Sequence, residues 1–276
     1  MHNTSKIYFT NIASYCFGKF AFCLFPKFIL YPILYFFIIL FNIKLAESTS
    51  TFWSFNSLND LFIRQLNPSF RPWNKSENVL CSPVDGTFKG KSPLSSQQIS
   101  IKTIGYDIHE LIGQPLPDNL NPISLLNFYL SPQDSHHVYA PCDLTLIDAL
   151  YIPGSLLPVA PLLSNFFPNV YTSNERIVLH VQHRDSVFLM VLVGALNVGH
   201  ITLQHSKETV QSNILKKERQ SKTLIFDKKH IKKGELMATF NMGSSVLLII
   251  DSTIKINDLT LNQTICYGES IGVLKH

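Results

Sequence analysis

The sequence has little charge, and one end of it has no acidic residue at all. Charged residues make up 15% of the 276 positions, against about a quarter in most soluble domains. No Asp or Glu precedes Glu47, whereas Lys6, Lys19, Lys27 and Lys44 do. The net charge of +4 is too small and too dispersed for a nucleic-acid partner but suits an anionic lipid surface. The composition therefore favours a chain that carries a membrane segment or lies against a membrane.

Cysteine is also scarce, and its pattern excludes two classes of protein. There are five cysteines and none forms a CxxC pair. An odd, scattered set argues against a disulfide framework and against a zinc site, and favours a reducing compartment. We expect all five to be small buried hydrophobic residues: Cys16, Cys23, Cys81, Cys142 and Cys266.

A long unbroken apolar run is missing as well. The densest stretch, "FILYPILYFFIILFNI" at 28–43, is interrupted by Pro32, and it is shorter than the about 20 residues needed to cross a bilayer. We predict that residues 8–45 form interfacial or re-entrant helices that anchor the protein. A single membrane span and a cleaved signal or transit peptide are the alternatives.

The residue pattern of the sequence changes after this apolar segment. In "SLNDLFIRQLNPSFRPW", Ser57 and Asp60 resemble a capping box, which predicts a short helix ended by Pro68 and Pro72. From about residue 78, runs of Val, Ile, Leu and Thr alternate with turn residues, which is typical of strands. The lysine-rich stretch 205–235 is predicted to be a surface loop or edge.

These patterns together predict an α+β fold with a mostly β core. N-terminal membrane-associated helices, residues 1–50, would be followed by a β-rich catalytic domain, residues 51–276.

Three short stretches contain residues that can perform chemistry. "FNMGSSVLLIID", 240–251, places Ser244 directly after Gly243. A serine hydroxyl can attack the preceding carbonyl when the peptide bond is held distorted, and glycine tolerates such distortion. Loss of the serine α-proton then breaks the ester by β-elimination, and water hydrolyses the residue left at the new N-terminus to a pyruvoyl group with release of ammonia. This group is an electrophilic carbonyl suited to decarboxylation. Taken alone, this stretch is a weak signal and is more typical of a turn that enters a strand.

The other two stretches supply acid–base groups. "SPVDGTF" at 82–88 places Asp85 in a turn between apolar segments. "FYLSPQDSHHVYAPCD" at 128–143 contains Asp134 and the adjacent His136 and His137, which are candidates for proton transfer.

In this order, the three stretches resemble those of the phosphatidylserine decarboxylase family. Four further segments also look like family segments and extend the resemblance over about residues 52–276: "FNSLNDLFIRQLNPSFRPW", "LYIPGSLLPV", "FPNVYTSNERIVL" and "VLVGALNVGHI".

The resemblance implies a proenzyme that cleaves itself between Gly243 and Ser244. Residues 1–243 would form the β subunit and residues 244–276 the α subunit. The cofactor would be a covalent pyruvoyl group derived from Ser244, with neither pyridoxal phosphate nor a metal ion.

The resemblance also implies roles for single side chains. Asp85 matches the aspartate that supports self-cleavage, and His136 matches the histidine that acts on the substrate, as its proton donor. Asp134 matches an acidic residue just before it, and Cys142 is interpreted as a packing residue.

The sequence departs from the family pattern at one position. The family has His-x-x-His-x-Pro, whereas here Tyr139 stands where the second histidine is expected. That histidine would assist the serine, and tyrosine is a poor base at neutral pH. His137 could replace it, since residues 137 and 139 of a strand point to the same face. Tyr139 could instead relay the proton, or strain at Gly243 could make cleavage possible but slow.

The implied activity is decarboxylation of phosphatidylserine to phosphatidylethanolamine and CO2 by a membrane-attached enzyme, with no nucleic acid as partner. A homodimer at a bacterial cytoplasmic membrane is expected, with the mitochondrial inner membrane as the alternative location. Two rival hypotheses are a non-processing pseudoenzyme that binds lipid, which Tyr139 favours, and an enzyme of the same chemistry acting on a free amino acid.

Overall fold

The computed structural model describes residues 3–95, 98–101, 104–160, 167, 169–196, 200–205, 210–211, 221–241 and 244–275. It confirms an α+β fold with a β-rich core preceded by helices. The helices are α1 (Asn3–Ala21), α2 (Lys27–Phe41), α3 (Leu58–Phe62), α4 (Ile108–Ile112) and α5 (Val170–Ser173), with 3-10 turns at Leu45–Glu47, Phe52–Ser54 and Pro68–Phe70. The strands are β1 (Val79–Cys81), β2 (Gly86–Ser95), β3 (Gln98–Ile101), β4 (Ile104–Asp107), β5 (Pro122–Leu130), β6 (His137–Tyr139), β7 (Leu144–Ile152), β8 (Arg176–His183), β9 (Ser186–Gly194), β10 (His200–Leu203), β11 (Val210–Gln211), β12 (Lys222–Ile231), β13 (Leu236–Phe240), β14 (Ser244–Asp251), β15 (Ile254–Ile256), β16 (Thr264–Ile265) and β17 (Ser270–Leu274).

The largest sheet has ten strands and forms the core. Its order is β12-β7-β8-β9-β14-β5-β2-β3-β4, with β16 paired to β2. Every residue of β14 and of β9 is buried, because both strands are apolar along nearly their whole length and so can be covered on both faces. β14 pairs antiparallel with β5 on one side and with β9 on the other. The first residue of β14 is therefore held by two neighbouring strands.

A smaller sheet lies next to the start of β14. Its order is β11-β10-β13-β6, and β6 contains the predicted site residues 137–139. β13 ends at Phe240, shortly before β14 begins in the large sheet. The chain therefore crosses from one sheet to the other at the stretch in which the reactive bond was predicted. The third sheet has three strands in the order β1-β17-β15.

The two N-terminal helices pack on the rest of the molecule with one face and expose the other. Leu30 and Leu34 of α2 are buried, whereas Phe28 and Phe36 are largely exposed. Lys27 fastens the start of α2, because its Nζ donates to the carbonyl of Phe55 at 2.7 Å. Among the residues that the structure describes, no helix is both long enough and apolar enough to span a membrane.

The strand predictions are confirmed, as is the edge predicted for the lysine-rich stretch, and one detail, the end of the helix that follows Ser57, was predicted wrongly. Strands begin at Val79, and β12, an edge strand, lies within the lysine-rich stretch. The capping box forms, since Ser57 Oγ accepts from the Asp60 amide at 3.1 Å. Helix α3 ends at Phe62 and does not continue to Pro68. At this end the Arg64 side chain folds back and donates to the Leu61 carbonyl at 3.2 Å.

All five cysteines are free, but burial was predicted for too many of them. Cys81 and Cys142 are buried, and Cys266 is partly so. Cys16 and Cys23 are exposed, because they lie on the outward side of the N-terminal helical segment. Burial raises the pKa of the Cys142 thiol to about 12, which agrees with a packing role.

Candidate active site

Ser244 is the first residue of β14 and is fully buried. Its Cα pairs with Leu130 on β5 and with Gly194 on β9. Its Oγ is buried and has no hydrogen-bond partner among the described residues. A buried hydroxyl without a partner is unusual in a folded protein and calls for an explanation. Gly243, the other half of the predicted reactive bond, lies outside the described residues.

An apolar cavity of about 330 Å³ reaches Ser244. The N-terminal helices supply part of its wall, with Phe17 from α1 and Phe37 and Phe41 from α2. The other lining residues come from α3, β5 and the loops beside them: Phe62, Tyr129, Leu130, Pro132, Pro158, Val159, Ala160, Ala195 and Leu196. The sequence pattern did not predict this cavity, because its walls come from segments far apart in the chain.

His136 is fully buried beside this cavity. Its Nδ1 lies 3.0 Å from the carbonyl oxygen of Asp134, and since a carbonyl only accepts, Nδ1 carries the proton. Its Nε2 has no partner in the described part of the chain. The ring meets that of Phe62 edge to face, with centroids 5.8 Å apart, and Phe62 itself lines the cavity. Burial, aided by the nearby Arg64 charge, lowers the pKa of His136 to about 3, so the ring is neutral at physiological pH.

Two sets of hydrogen bonds fix the loop that carries His136. The Asp134 carboxylate accepts from the backbone amide and from the hydroxyl of Ser131, each at 2.7 Å. Arg64, which is buried, donates to the carbonyl of Gln133 and so ties the loop to the segment that follows α3. Burial raises the pKa of Asp134 and lowers that of Arg64. The position of His136 therefore depends on an arginine that is not in its own loop.

His137 points into the smaller sheet and has both ring nitrogens engaged. Its Nε2 donates to the carbonyl of Ile63 and its Nδ1 accepts from the Thr239 hydroxyl, each at 3.0 Å. Burial lowers its pKa. These bonds connect α3, β6 and β13, which gives His137 a structural role.

Asp85 lies just before β2 in a buried cluster of charges. Arg71 donates from Nε to both carboxylate oxygens at 3.0 and 3.1 Å and from Nη2 to one of them at 2.9 Å. The amide of Tyr267 donates to Asp85 at 2.9 Å. Arg71 also pairs with Glu47 at 2.8 Å. Both oxygens of Asp85 are thus held by this cluster.

Tyr139 belongs to an aromatic cluster next to Asp85. Its ring lies 4.5 Å from that of Tyr267 and 6.0 Å from that of Trp73, measured between centroids. Burial raises the pKa of Tyr139, helped by its interaction with the neighbouring Tyr267 and by the Asp85 charge. Tyr139 therefore stays protonated.

The predicted site residues thus fall into two groups. Ser244 lines the cavity and His136 lies beside it, whereas Asp85 and Tyr139 lie with Arg71. The two groups are neighbours, because a Cβ at Gly86 would lie 2.5 Å from the carbonyl oxygen of Tyr129, which lines the cavity. Sequence reasoning assigned no role to Arg64 or Arg71, although each is a charged residue in an apolar stretch, and such residues often have buried partners. Across the described residues, no group of three or more His, Cys, Asp or Glu side chains could hold a metal ion.

Comparison with known proteins identifies the class to which this site belongs. A family model described as "Phosphatidylserine decarboxylase" matches residues 58–273. The chain belongs to the phosphatidylserine decarboxylase family.

Its curated relatives are of similar length. A phosphatidylserine decarboxylase proenzyme of Helicobacter pylori strain J99 is 35% identical over 270 residues, which cover 95% of this chain and 97% of the relative. The proenzyme of Campylobacter jejuni is 32% identical over 270 residues, covering 95% and 98%. That of Glaesserella parasuis is 30% identical over 218 residues, covering 75% and 71%. Family and relatives together support decarboxylation of phosphatidylserine.

Proposed function

We propose that this chain is a membrane-attached proenzyme that cleaves itself between Gly243 and Ser244 and then converts phosphatidylserine to phosphatidylethanolamine and CO2. The observation that carries the proposal is the buried, unpartnered hydroxyl of Ser244 at the wall of an apolar cavity. Such a hydroxyl is free to attack the preceding carbonyl, since no other hydrogen bond among the described residues holds it.

The residues around Ser244 fit a pyruvoyl group formed at that position. Such a group would supply an electrophilic carbonyl that binds the substrate amine and withdraws electrons as CO2 leaves. The Ser244 Oγ without a hydrogen-bond partner supports the fit, because no hydrogen bond among the described residues is lost when that oxygen leaves position 244. Phe62 and Leu130 give the cavity apolar walls, and a water-poor site favours loss of a charged carboxylate. His136 would return a proton to the substrate carbon through Nε2.

The N-terminal helices support a lipid substrate and a membrane surface as its source. Exposed apolar side chains crowd one side of this segment: Leu24, Phe28, Tyr35, Phe36, Ile39, Leu40 and Trp53. An apolar helical face with lysines around it is the pattern of interfacial binding. Phe17 and Phe37 of the same helices line the cavity at Ser244, so acyl chains could pass from the bilayer toward the reactive residue without crossing water.

Intact mass spectrometry of the purified full-length protein tests self-cleavage. Two chains are expected, and the smaller should begin at position 244 with a pyruvoyl group in place of serine. A single species near 31.3 kDa would contradict the proposal and would favour the rival, a lipid-binding pseudoenzyme with Tyr139 as the cause. Release of no CO2 from phosphatidylserine vesicles by the cleaved protein would contradict the activity.

A surface variant separates a lipid substrate from a soluble one. Phe28→Ser combined with Phe36→Ser removes two exposed rings of α2, so binding to anionic vesicles and decarboxylation of vesicle lipid should both fall. Ile225→Ser is the matched control, because Ile225 is as exposed as Phe28 but lies on the edge strand β12. Equal loss in the control, or no loss in the α2 variant, would argue for a free amino acid as substrate.

Two further expectations accompany this proposal. The relatives named above come from bacteria, which supports a bacterial cytoplasmic membrane as the location. We also propose a homodimer, which light scattering of the detergent-solubilised protein would test.

A further inference from the structure

The proposed self-cleavage requires a base for the Ser244 hydroxyl, and the two groups that family resemblance points to are occupied. Both oxygens of Asp85 accept hydrogen bonds from Arg71, and one also accepts from the Tyr267 amide. Tyr139 packs on the Tyr267 ring, and its burial raises its pKa, so it is a protonated phenol. A phenol that keeps its proton cannot take another from serine.

His137, the obvious substitute from sequence, has no free lone pair. Its Nε2–H points at the Ile63 carbonyl, and its Nδ1 lone pair accepts from Thr239. To act as a base, it would have to break the bond to Thr239 inside a buried sheet, and a buried group that loses its partner costs about 1–3 kcal/mol.

His136 has the free lone pair that His137 lacks. Because Nδ1–H is bonded to the Asp134 carbonyl, the neutral ring presents an unprotonated Nε2. That nitrogen is buried and has no partner within the described ranges, and the same is true of Ser244 Oγ. A buried polar atom without a partner calls for an explanation, and a catalytic role is one such explanation.

The chain brings His136 and Ser244 into one small region. β5 ends at Leu130, which pairs with Ser244, and the next few residues form the loop that leads to His136. On the other side, the Phe240 amide donates to the His136 carbonyl at 2.9 Å, a few residues before Ser244. Phe62 contacts His136 and lines the cavity at Ser244.

We infer that His136 is the base for self-cleavage in this chain, in addition to the substrate step that the proposed function gives it. Its Nε2 takes the Ser244 hydroxyl proton while Oγ bonds to the preceding carbonyl carbon. The C–N bond then breaks, and the same proton goes to the released nitrogen of Ser244, so the N-to-O acyl shift is balanced. This inference rests on the proposed function, because it names the proton acceptor of that cleavage.

The surroundings of His136 suit this double use. Among the described residues, the charges of Arg64, which follows α3, and of His137 on β6 act on the pKa of His136, and Asp134 acts on it through its backbone carbonyl. Before substrate binds, burial and Arg64 keep the ring neutral and its lone pair available. A bound anionic headgroup would bring negative charge near His136 and favour its protonated form, which the later proton return requires.

The test measures self-cleavage itself, by intact mass over time on full-length protein in detergent. His136→Gln should slow cleavage by about 100-fold or more, the usual worth of a general base. His183→Gln is the matched control, since His183 is also buried with Nδ1 on a backbone carbonyl, that of Asp143, but lines a different, polar pocket. It should cleave like the wild type.

Chemical rescue distinguishes loss of the base from misfolding of the variant. His136→Gly leaves room for a small base, so added imidazole should restore cleavage in proportion to its concentration. No rescue in a variant that melts at the wild-type temperature would overturn the inference. Wild-type cleavage that persists in His136→Gln would overturn this inference alone, whereas a wild-type chain that stays whole would overturn the proposed function with it.

Discussion

Replacing Arg71 with methionine should destabilise the protein more than any exposed charge change. The Arg71 side chain is 12% exposed and forms ion pairs with Asp85 and Glu47. The side chains of these two partners are 5% and 19% exposed. Methionine keeps much of the side-chain volume but leaves two carboxylates without their cation. Removal of one partner from a buried ion pair costs about 3–5 kcal/mol, a large part of the about 5–15 kcal/mol that stabilises a typical domain.

Urea unfolding in a mild detergent measures this loss, with Trp73 as the fluorescent reporter. Trp73 packs against Tyr139 and Tyr267, beside the Asp85 cluster. The matched control is Arg184→Met, because Arg184 pairs with Glu77 in an ion pair whose side chains are 49% and 75% exposed. Exposed pairs contribute at most about 1 kcal/mol.

A double-mutant cycle isolates the pair itself. Asp85→Asn removes the charge that Arg71→Met would leave unpaired, so the double variant should lose less than the sum of the two single losses, by more than about 1 kcal/mol. Additive losses, or an Arg71→Met loss no larger than that of Arg184→Met, would refute the buried ion-pair reasoning.

Two further predictions concern stability. The pKa of His136 in the folded protein is about 3, whereas that of an unfolded histidine is about 6.5. Between these two pH values, the unfolded chain binds a proton that the folded chain does not. The free energy of unfolding should therefore fall by up to about 1.4 kcal/mol for each pH unit below 6.5. His136→Gln should lack this part of the slope, and equal slopes in urea titrations at several pH values would contradict the burial of a neutral ring. Gly154→Ala should lower the free energy of unfolding by about 1–3 kcal/mol, because a Cβ there would lie 2.5 Å from the Ser173 carbonyl oxygen. Gly18→Ala, where nothing lies within 4 Å, is its control and should be neutral or stabilising.

Strand positions and site candidates could be predicted from the sequence because local patterns carry them. The apolar run after Ser244 indicates a buried strand, and β14 is one. Ser57 and Asp60 predict a helix start, and the cap forms. The length of α3 could not be predicted from the prolines, because the helix ends where the Arg64 side chain donates a hydrogen bond to the Leu61 carbonyl.

The sequence by itself determined which residue types could react: a serine after a glycine, an aspartate in a turn, and two adjacent histidines. Only the tertiary structure decided which of them are available. His136 and His137 are neighbours in the chain, yet one presents a free nitrogen and the other has both nitrogens bonded, because their partners come from different elements. The cavity at Ser244 likewise needs Phe17 and Phe37 from helices at the opposite end of the chain. Hydrogen-bond partners and cavity walls are contacts between distant segments, and no local pattern encodes them.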